Sequence, residues 1–219
     1  MKARTIFRLT IALFVFASCK KESPDINLGK FDYLATSKSA IPYLEKTAVV
    51  FVDSLGNEMT LHITEKGSES TESHIPKSGH IIPENAPVGD YFYSANRLFL
   101  NLDNDQQNLH FWMWLTPDIY VLDPESKLVA DRLAVFYTDP DQPTDGAQIF
   151  SYLVDRRSFP SGVDEHEIIA ARSFFGREFT NLVENKDQSR IQKMFYNETE
   201  GIVAFTDFQG KLWRFERME

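Results

Sequence analysis

Hydrophobic and polar residues alternate along most of the chain, in short runs that are separated by turn residues. The clearest hairpin pattern begins with residues 46–53, which are β-branched and apolar without alternating, and continues through the turn-like residues 54–57. Residues 58–64 then place Met59, Leu61 and Ile63 on one side. A period of two is typical of half-buried strands. The pattern therefore predicts a β-hairpin here.

The same alternation recurs to the end of the chain. Residues 168–175 fit either a strand or a short helix. The other predicted strands are residues 91–102, 108–115, 119–122, 128–138, 149–154, 179–184, 191–196, 202–206 and 212–215. This series predicts an all-β domain with at most minor helix, built as an antiparallel β-barrel or a β-sandwich of hairpins.

The first eighteen residues follow a different pattern. Lys2, Arg4 and Arg8 accompany a short apolar stretch, residues 9–16, and small residues precede Cys19, the one cysteine of the chain. This layout is typical of a secretory signal. The stretch is too short for a membrane-spanning helix, which needs ~20 apolar residues.

Residues 16–19, Phe-Ala-Ser-Cys, resemble a bacterial lipobox, with Phe16 in the place of the usual leucine. The resemblance implies that residues 1–18 are a cleaved signal peptide and that Cys19 carries fatty acyl chains, palmitate among them. The alternative is an ordinary secreted or cytosolic chain with a chance cysteine. On the lipoprotein interpretation, the polar residues 19–30 form a tether and residues 31–219 a single β-rich domain.

A second resemblance lies near the C-terminus, in residues 195–213, FYNETEGIVAFTDFQGKLW. A tyrosine-containing strand, a Gly-Ile strand, an Asp-x-x-Gly turn and Lys-x-Trp resemble the ending of many small, uncharacterised outer-membrane lipoproteins of the Bacteroidota type. Residues 176–181 and Pro42-Tyr43 are similar to that group as well. The resemblance implies a β fold and an outer-membrane location. It does not indicate whether the protein lies on the periplasmic or the cell-surface face, and it implies no activity.

One short motif occurs twice. Phe51-x-Asp53-x-x-Gly56 recurs as Phe205-x-Asp207-x-x-Gly210, each time between predicted strands. In such a turn an Asp side chain bonds backbone amides and the Gly takes the left-handed conformation. Each copy supplies too few oxygens for a calcium loop. We therefore expect two equivalent turns.

The charge of the chain narrows the possible partners. Its 219 residues carry a net charge of −9, and loss of the signal leaves 20 basic against 32 acidic residues, or −12. This balance argues against a nucleic-acid partner. It also predicts that the lipid alone holds the protein at the membrane, because an anionic surface repels an acidic domain.

Residues 108–115 form the most suggestive predicted strand. Its two faces carry Leu109, Phe111, Met113 and Leu115 on one side and His110, Trp112 and Trp114 on the other. A strand that is apolar on both faces is usually packed on both sides, and we favour a core position. In a barrel, one face could instead line a cavity for an apolar or sugar ligand. His110, Trp112 and Trp114 are therefore the candidate ligand wall.

Other polar segments have ordinary interpretations. Residues 67–90 are predicted to form a long solvated loop, and its histidines His74 and His80 are too few for a metal site. The acidic residues 139–145 and 164–167 are interpreted as solvated, with adjacent side chains pointing apart in the second. The sequence contains no catalytic motif and predicts no metal or cofactor.

Two functions fit these observations. The first is a lipid-anchored, non-catalytic binding or structural β module on the bacterial outer membrane, whose partner is another envelope protein or a small ligand. The alternative is a surface hydrolase that acts on glycans or peptides, with carboxylates assembled in space. A cleft in which acidic or His side chains converge would favour the hydrolase.

Overall fold

The computed structural model describes residues 25–75, 89–122, 127–139, 142–157, 168–184 and 193–219, without the side chains of residues 120–127 and 138–147. The predicted signal peptide and lipidation site at Cys19 lie outside the described residues. One short 3₁₀ helix, Ala35–Ala40, occurs among strands β1 (Ile26–Phe31), β2 (Ala48–Val52), β3 (Glu58–Ile75), β4 (Tyr91–Asn104), β5 (Leu109–Leu122), β6 (Lys127–Asp139), β7 (Gln142–Asp155), β8 (Ile168–Phe174), β9 (Arg177–Glu184), β10 (Met194–Asn197), β11 (Gly201–Thr206) and β12 (Leu212–Met218).

All twelve strands belong to one sheet. Its order is β7-β6-β5-β4-β3-β2-β12-β11-β10-β9-β8, with antiparallel neighbours, while β1 runs parallel to the first half of β4. The sheet curls so that its two arms meet: the ring of Phe111 on β5 lies 5.2 Å from that of Phe205 on β11. The ring of Phe150 on β7 lies 5.3 Å from that of Tyr196 on β10. The predicted all-β fold is confirmed, in the form of a half-barrel.

The core lies inside the curl. Phe51, Phe111 and Phe205 are fully buried, and Phe205 meets each of the other two rings edge-on at 5.2 Å. Edge-to-face rings at this separation add to the stabilisation that comes from burial. Aromatic side chains from both arms thus hold the curled sheet together.

Strand β4 changes the face that it buries. Tyr91, Tyr93 and Ala95 are buried in its first half, and Leu98 and Leu100 in its second. The ladder with β3 has no register break between these halves, so the odd-numbered residues share one face throughout. That face packs on a small apolar cluster in the first half of β4 and forms part of the outer surface in the second half.

Three predicted boundaries differ from the structure. Residues 67–75 were expected in a loop because they are mostly polar, but they continue β3 along β4. Polar side chains suit this part of the strand because most of them are exposed. Strand β5 continues through Pro117, which lies just beyond the last pair of the β4–β5 ladder, Leu98 and Leu115. A proline that lacks an N–H is tolerated there. The sheet also begins at Ile26, within the segment predicted as a tether.

The turns of the repeated motif are equivalent, as predicted. Asp53 Oδ1 accepts the backbone N–H of Asn57 at 2.9 Å, and Asp207 Oδ1 accepts that of Lys211 at 2.9 Å. Gly56 and Gly210 both adopt positive φ, +83° and +78°. Because β2 pairs with β12, both turns lie at the same end of the sheet.

Two of the sequence motifs, one near each end of the chain, meet in the core. The buried hydroxyl of Tyr43 accepts the backbone N–H of Ile202, and the hydroxyl of Tyr196 donates to the carbonyl of Ala40. The 3₁₀ helix and the segment after it are thereby fixed to β10 and β11. The Pro42-Tyr43 and Gly201-Ile202 motifs are parts of one structural unit.

Candidate functional site

The three candidate residues lie on the outer face of β5. Their side chains alternate with the buried Leu109, Phe111 and other core residues, so they point away from the core. His110, Trp112 and Trp114 are each half-buried. The expectation that the two tryptophans pack in the core is therefore wrong, because this face of β5 lies outside the curl and no second layer of core residues covers it in the described part of the chain.

Trp112 and Trp114 lie in a groove of about 370 Å³ that crosses four neighbouring strands. Its lining residues come from β3, β4, β5 and β6: Glu65, Glu69, Arg97, Phe99, Asn101, Trp112, Trp114 and Phe136. The register brings them together, since Phe99 is opposite Trp114, and Trp112 is opposite both Asn101 and Phe136. Residues directly opposite in a ladder share a face. The groove is thus built entirely on strands.

Phe99 forms the part of the groove next to β3. It is paired with Gly67, and a Cβ atom at Gly67 would lie only 3.1 Å from Cζ of the Phe99 ring. The absence of a side chain at Gly67 lets the ring lie across β3. A glycine inside a strand often marks such a close approach.

Arg97 covers one tryptophan. Its guanidinium carbon lies 3.9 Å from the centre of a Trp114 ring, and its Nε donates to Glu69 Oε1 at 3.0 Å. On its other side Trp114 packs against Phe136, with ring centres 4.4 Å apart. A cation over an indole is attracted by the ring quadrupole. These contacts fix the position of Trp114.

Trp112 is in a different situation. Among the described residues, no other aromatic ring or cation stacks on its indole. Beside it, Asn101 Nδ2 donates to Glu65 Oε2 at 3.2 Å. The groove therefore offers the surface of a half-buried indole next to a polar amide–carboxylate pair.

His110 shares the outer face but does not line the groove. Its Nδ1 lies 2.9 Å from Asp103 Oδ1, and its Nε2 lies 3.3 Å from Asn108 Oδ1. The hydroxyl of Thr64 donates to the same carboxylate, not to the imidazole. A nucleophile activated by a base needs the hydroxyl–imidazole bond. The arrangement instead links the β4–β5 hairpin to the interior of β3.

Sequence reasoning missed most of the groove. Glu65, Glu69, Arg97, Phe99, Asn101 and Phe136 were not identified as candidates. The last four look like ordinary strand residues, whereas Glu65 and Glu69 lie beyond the strand predicted to end at residue 64. One signal was present: the two predicted strands on either side of residues 103–107 form a hairpin, which brings Phe99 and Trp114 to neighbouring strands. Their register could not be taken from the predicted loop, because the observed ladder closes at Asn104 and Leu109 and not at Leu102 and Asn108.

In the described part of the chain, no group of three or more His, Cys, Asp or Glu residues is placed to hold a metal ion. None of the helices described is long and apolar enough to cross a membrane. Residues 164–167, and the side chains of residues 139–145, lie outside the described part.

No protein-family model matches the sequence, and neither a curated protein nor a solved structure matches it. The function of the groove must therefore be inferred from its own geometry and chemistry.

Proposed function

We propose that this chain is a lipid-anchored protein of the bacterial outer membrane whose β domain binds a ligand, without catalysis, in the outer-face groove. The observation that carries the binding role is the half-buried pair Trp112 and Trp114 within a groove of about 370 Å³. Ligand sites of small molecules are concave, mostly apolar and of about 300–1,000 Å³. The anchor rests on the lipobox-like sequence that ends at Cys19.

The groove is suited to binding because it is already formed. Its residues lie on strands, where side-chain positions are better fixed than on loops. The Arg97–Glu69 pair and the stack of Arg97 on Trp114 hold one wall in place. A site that is formed before the ligand arrives loses less conformational entropy on binding.

The positions of the carboxylates favour binding over hydrolysis. Glu65 and Glu69 are four residues apart on the same face of β3, which corresponds to about 13 Å along a strand. The two carboxyl groups of a glycosidase are about 5–10 Å apart. Each of these glutamates is also hydrogen-bonded within the groove, to Asn101 and to Arg97 respectively.

The anchor is tested by metabolic labelling of cells with an alkynyl fatty acid. We expect label on the wild-type protein and none on Cys19→Ser. Label that persists in the Cys19→Ser variant would show that Cys19 is not the acceptor. Cells that process the signal but never label the protein would contradict lipidation altogether.

Binding is tested with the full-length protein and four probe classes: neutral oligosaccharides, quaternary ammonium compounds, phosphate esters and fatty acids. We expect one class to raise the melting temperature of the wild type and of Phe92→Ala, but not of Trp112→Ala. Phe92 is a matched control, because it is a half-buried aromatic residue on the opposite face of β4 from Phe99. The proposal fails if no class binds, or if Trp112→Ala changes nothing.

A further inference from the structure

The charges and rings of the groove identify a class of ligand. We infer that the groove binds a neutral carbohydrate, with Trp112 and Phe99 contacting the faces of the sugar rings. This inference rests on the proposed function. The inference follows from what the lining residues offer and from the occupants that they disfavour.

The apolar part of the lining consists of aromatic rings alone. Trp112, Trp114, Phe99 and Phe136 present flat surfaces, and Trp112 and Trp114 are about 7 Å apart along β5. Flat rings pack well against flat, weakly polar C–H surfaces. A sugar ring has such a surface on each face, so neighbouring sugar units can contact neighbouring rings.

The polar part of the lining both donates and accepts hydrogen bonds. Arg97 and Asn101 supply N–H donors, while Glu65 and Glu69 supply carboxylate acceptors. A sugar hydroxyl donates and accepts at once, so it can bond to either member of each pair. The alternation of planar polar groups with rings matches a molecule whose edges are hydroxylated and whose faces are not.

Charged ligands fit less well. Two carboxylates against one guanidinium leave the lining with a net negative charge, and the whole chain is acidic at −9, so an anion is repelled. A cation finds both lining carboxylates already engaged, because Glu69 is paired with Arg97 and Glu65 Oε2 accepts from Asn101 Nδ2 at 3.2 Å. Arg97 also already covers the face of Trp114, at 3.9 Å.

A fatty acyl chain fits no better. It offers no hydrogen-bonding group to Glu65, Asn101, Arg97 or Glu69, which line the same groove. Covering these polar groups removes water from them, and an acyl chain supplies no hydrogen bond in its place, which has a cost in free energy. A neutral, hydroxyl-rich ligand is the class that satisfies both the rings and the polar pairs.

The inference is tested by isothermal titration calorimetry and affinity electrophoresis of the full-length protein with malto-, cello-, xylo- and N-acetylated chito-oligosaccharides, all of which are neutral. We expect saturable binding of at least one series. Trp112→Ala and Phe99→Ala should each weaken it about tenfold or more, and Phe92→Ala less than about twofold. Because the ligand is neutral, raising the salt concentration from 50 to 500 mM should change the affinity less than about twofold.

Trp112→Phe supplies a second variant if Trp112→Ala does not fold, and it should retain part of the affinity because a ring is kept. If both substitutions at Trp112 leave the affinity for the sugar unchanged, the carbohydrate binds elsewhere and the inference is overturned. If no sugar binds but a charged or fatty probe binds in a Trp112-dependent way, the carbohydrate class is wrong and the binding role stands. If no probe of any class binds, both fail.

Discussion

The ring of Phe99 lies across Gly67, its direct partner on the neighbouring strand. The ring Cζ would be 3.1 Å from a Cβ atom built on Gly67, which is closer than an unstrained contact. Phe99 also faces Trp114 on its other side in the ladder. The shape of the groove therefore depends on the absence of a side chain at Gly67, which leaves room for the Phe99 ring.

Substituting Gly67→Ala should lift the Phe99 ring towards the ligand space and weaken ligand binding about three- to tenfold. The free energy of unfolding should change by less than about 1 kcal/mol, because the half-buried ring can move and alanine is the better strand residue. Titration of the bound probe and urea unfolding measure the two effects.

The control for this prediction is a double-mutant cycle with Phe99→Ala. Once the ring is removed, Gly67→Ala should have almost no effect on binding. An unchanged effect in the Phe99→Ala background would show that the methyl group acts in some other way.

Asp53 and Lys211 join the two equivalent turns. Lys211 Nζ lies 2.6 Å from Asp53 Oδ2, which also accepts from Asn57 Nδ2 at 2.7 Å. The hydrogen bond from Lys211, followed by those from Asn57 and from the backbone of the turn, holds the pKa of Asp53 well below its usual range. The ionised carboxylate is thus favoured in the folded state.

This pairing predicts a pH-dependent difference between the wild type and Asp53→Asn. A carboxyl group whose pKa is lowered by folding stabilises the protein above its unfolded pKa of about 3.9, and the effect is lost as the pH falls towards the folded pKa. Asp53→Asn should be the less stable protein at pH 7, and the gap should narrow below about pH 4. Urea unfolding at pH 7, 5 and 3 measures the gap.

Lys211→Met supplies the matched background for the pH experiment. Without the ammonium group, the loss of stability caused by Asp53→Asn should be smaller at pH 7 and should vary less with pH. A gap that stays constant from pH 7 to 3 in the wild-type background would contradict the assigned pairing.

Asp131, on β6, has a fully buried side chain. It accepts the backbone N–H of Leu34 at 2.7 Å, the hydroxyl of Ser37 at 2.6 Å and the guanidinium of Arg157 at 2.7 Å. It therefore connects the segment that leads into the 3₁₀ helix with the end of β7.

Asp131→Ala should lower the free energy of unfolding by about 3–5 kcal/mol, because it leaves buried donors and a partly buried guanidinium without their acceptor. Urea unfolding measures the loss. Asp105→Ala, in an exposed turn, is the control and should stay within about 0.5 kcal/mol of the wild type. Equal effects of the two substitutions would contradict the structural role of Asp131.

Gly201 combines two constraints. Its φ is +77°, and a Cβ atom there would overlap the buried hydroxyl of Tyr43. Gly210 has nearly the same φ, +78°, but open space around it. The pair therefore separates backbone strain from steric overlap.

Gly210→Ala should cost about 1–2 kcal/mol, the usual penalty of a left-handed alanine. Gly201→Ala should cost at least about 2 kcal/mol more, because the Tyr43 ring must also move out of a packed core. Thermal unfolding of the two variants compares them directly. Similar losses of stability would mean that Tyr43 does not restrict this position.

The strands were predictable because their signal is local. The apolar, β-branched run of residues 46–53 and the alternation in residues 58–64 identified the β2–β3 hairpin, and the Asp-x-x-Gly motif gave the conformation of its turn correctly. The curl of the sheet was not predictable in this way. It depends on contacts such as Phe111 with Phe205, which join strands far apart in the sequence.

Part of the candidate site was also predictable from a local signal. The period of two placed Trp112 and Trp114 on one face of β5, opposite Phe111, and this was right. Whether that face is covered depends on the whole sheet, so the expected core position was wrong. Gly67 and Phe99 were missed because their contact depends on the register in which β3 pairs with β4. Gly67 also belongs to a segment that was expected to be a loop.

Ligand binding in the outer-face groove of β3 to β6 can be followed through the indole N–H signals of the three tryptophans. Trp112 and Trp114 line the groove, whereas the Nε1–H of Trp213 is bonded to Asp207 Oδ2 at 2.8 Å in a separate turn. In ¹H–¹⁵N spectra of the full-length protein titrated with the oligosaccharide series, we expect saturable shifts of the Trp112 and Trp114 signals and a stationary Trp213 signal. Shifts at Trp213 alone, or no shift at Trp112 while a probe binds, would contradict binding in this groove.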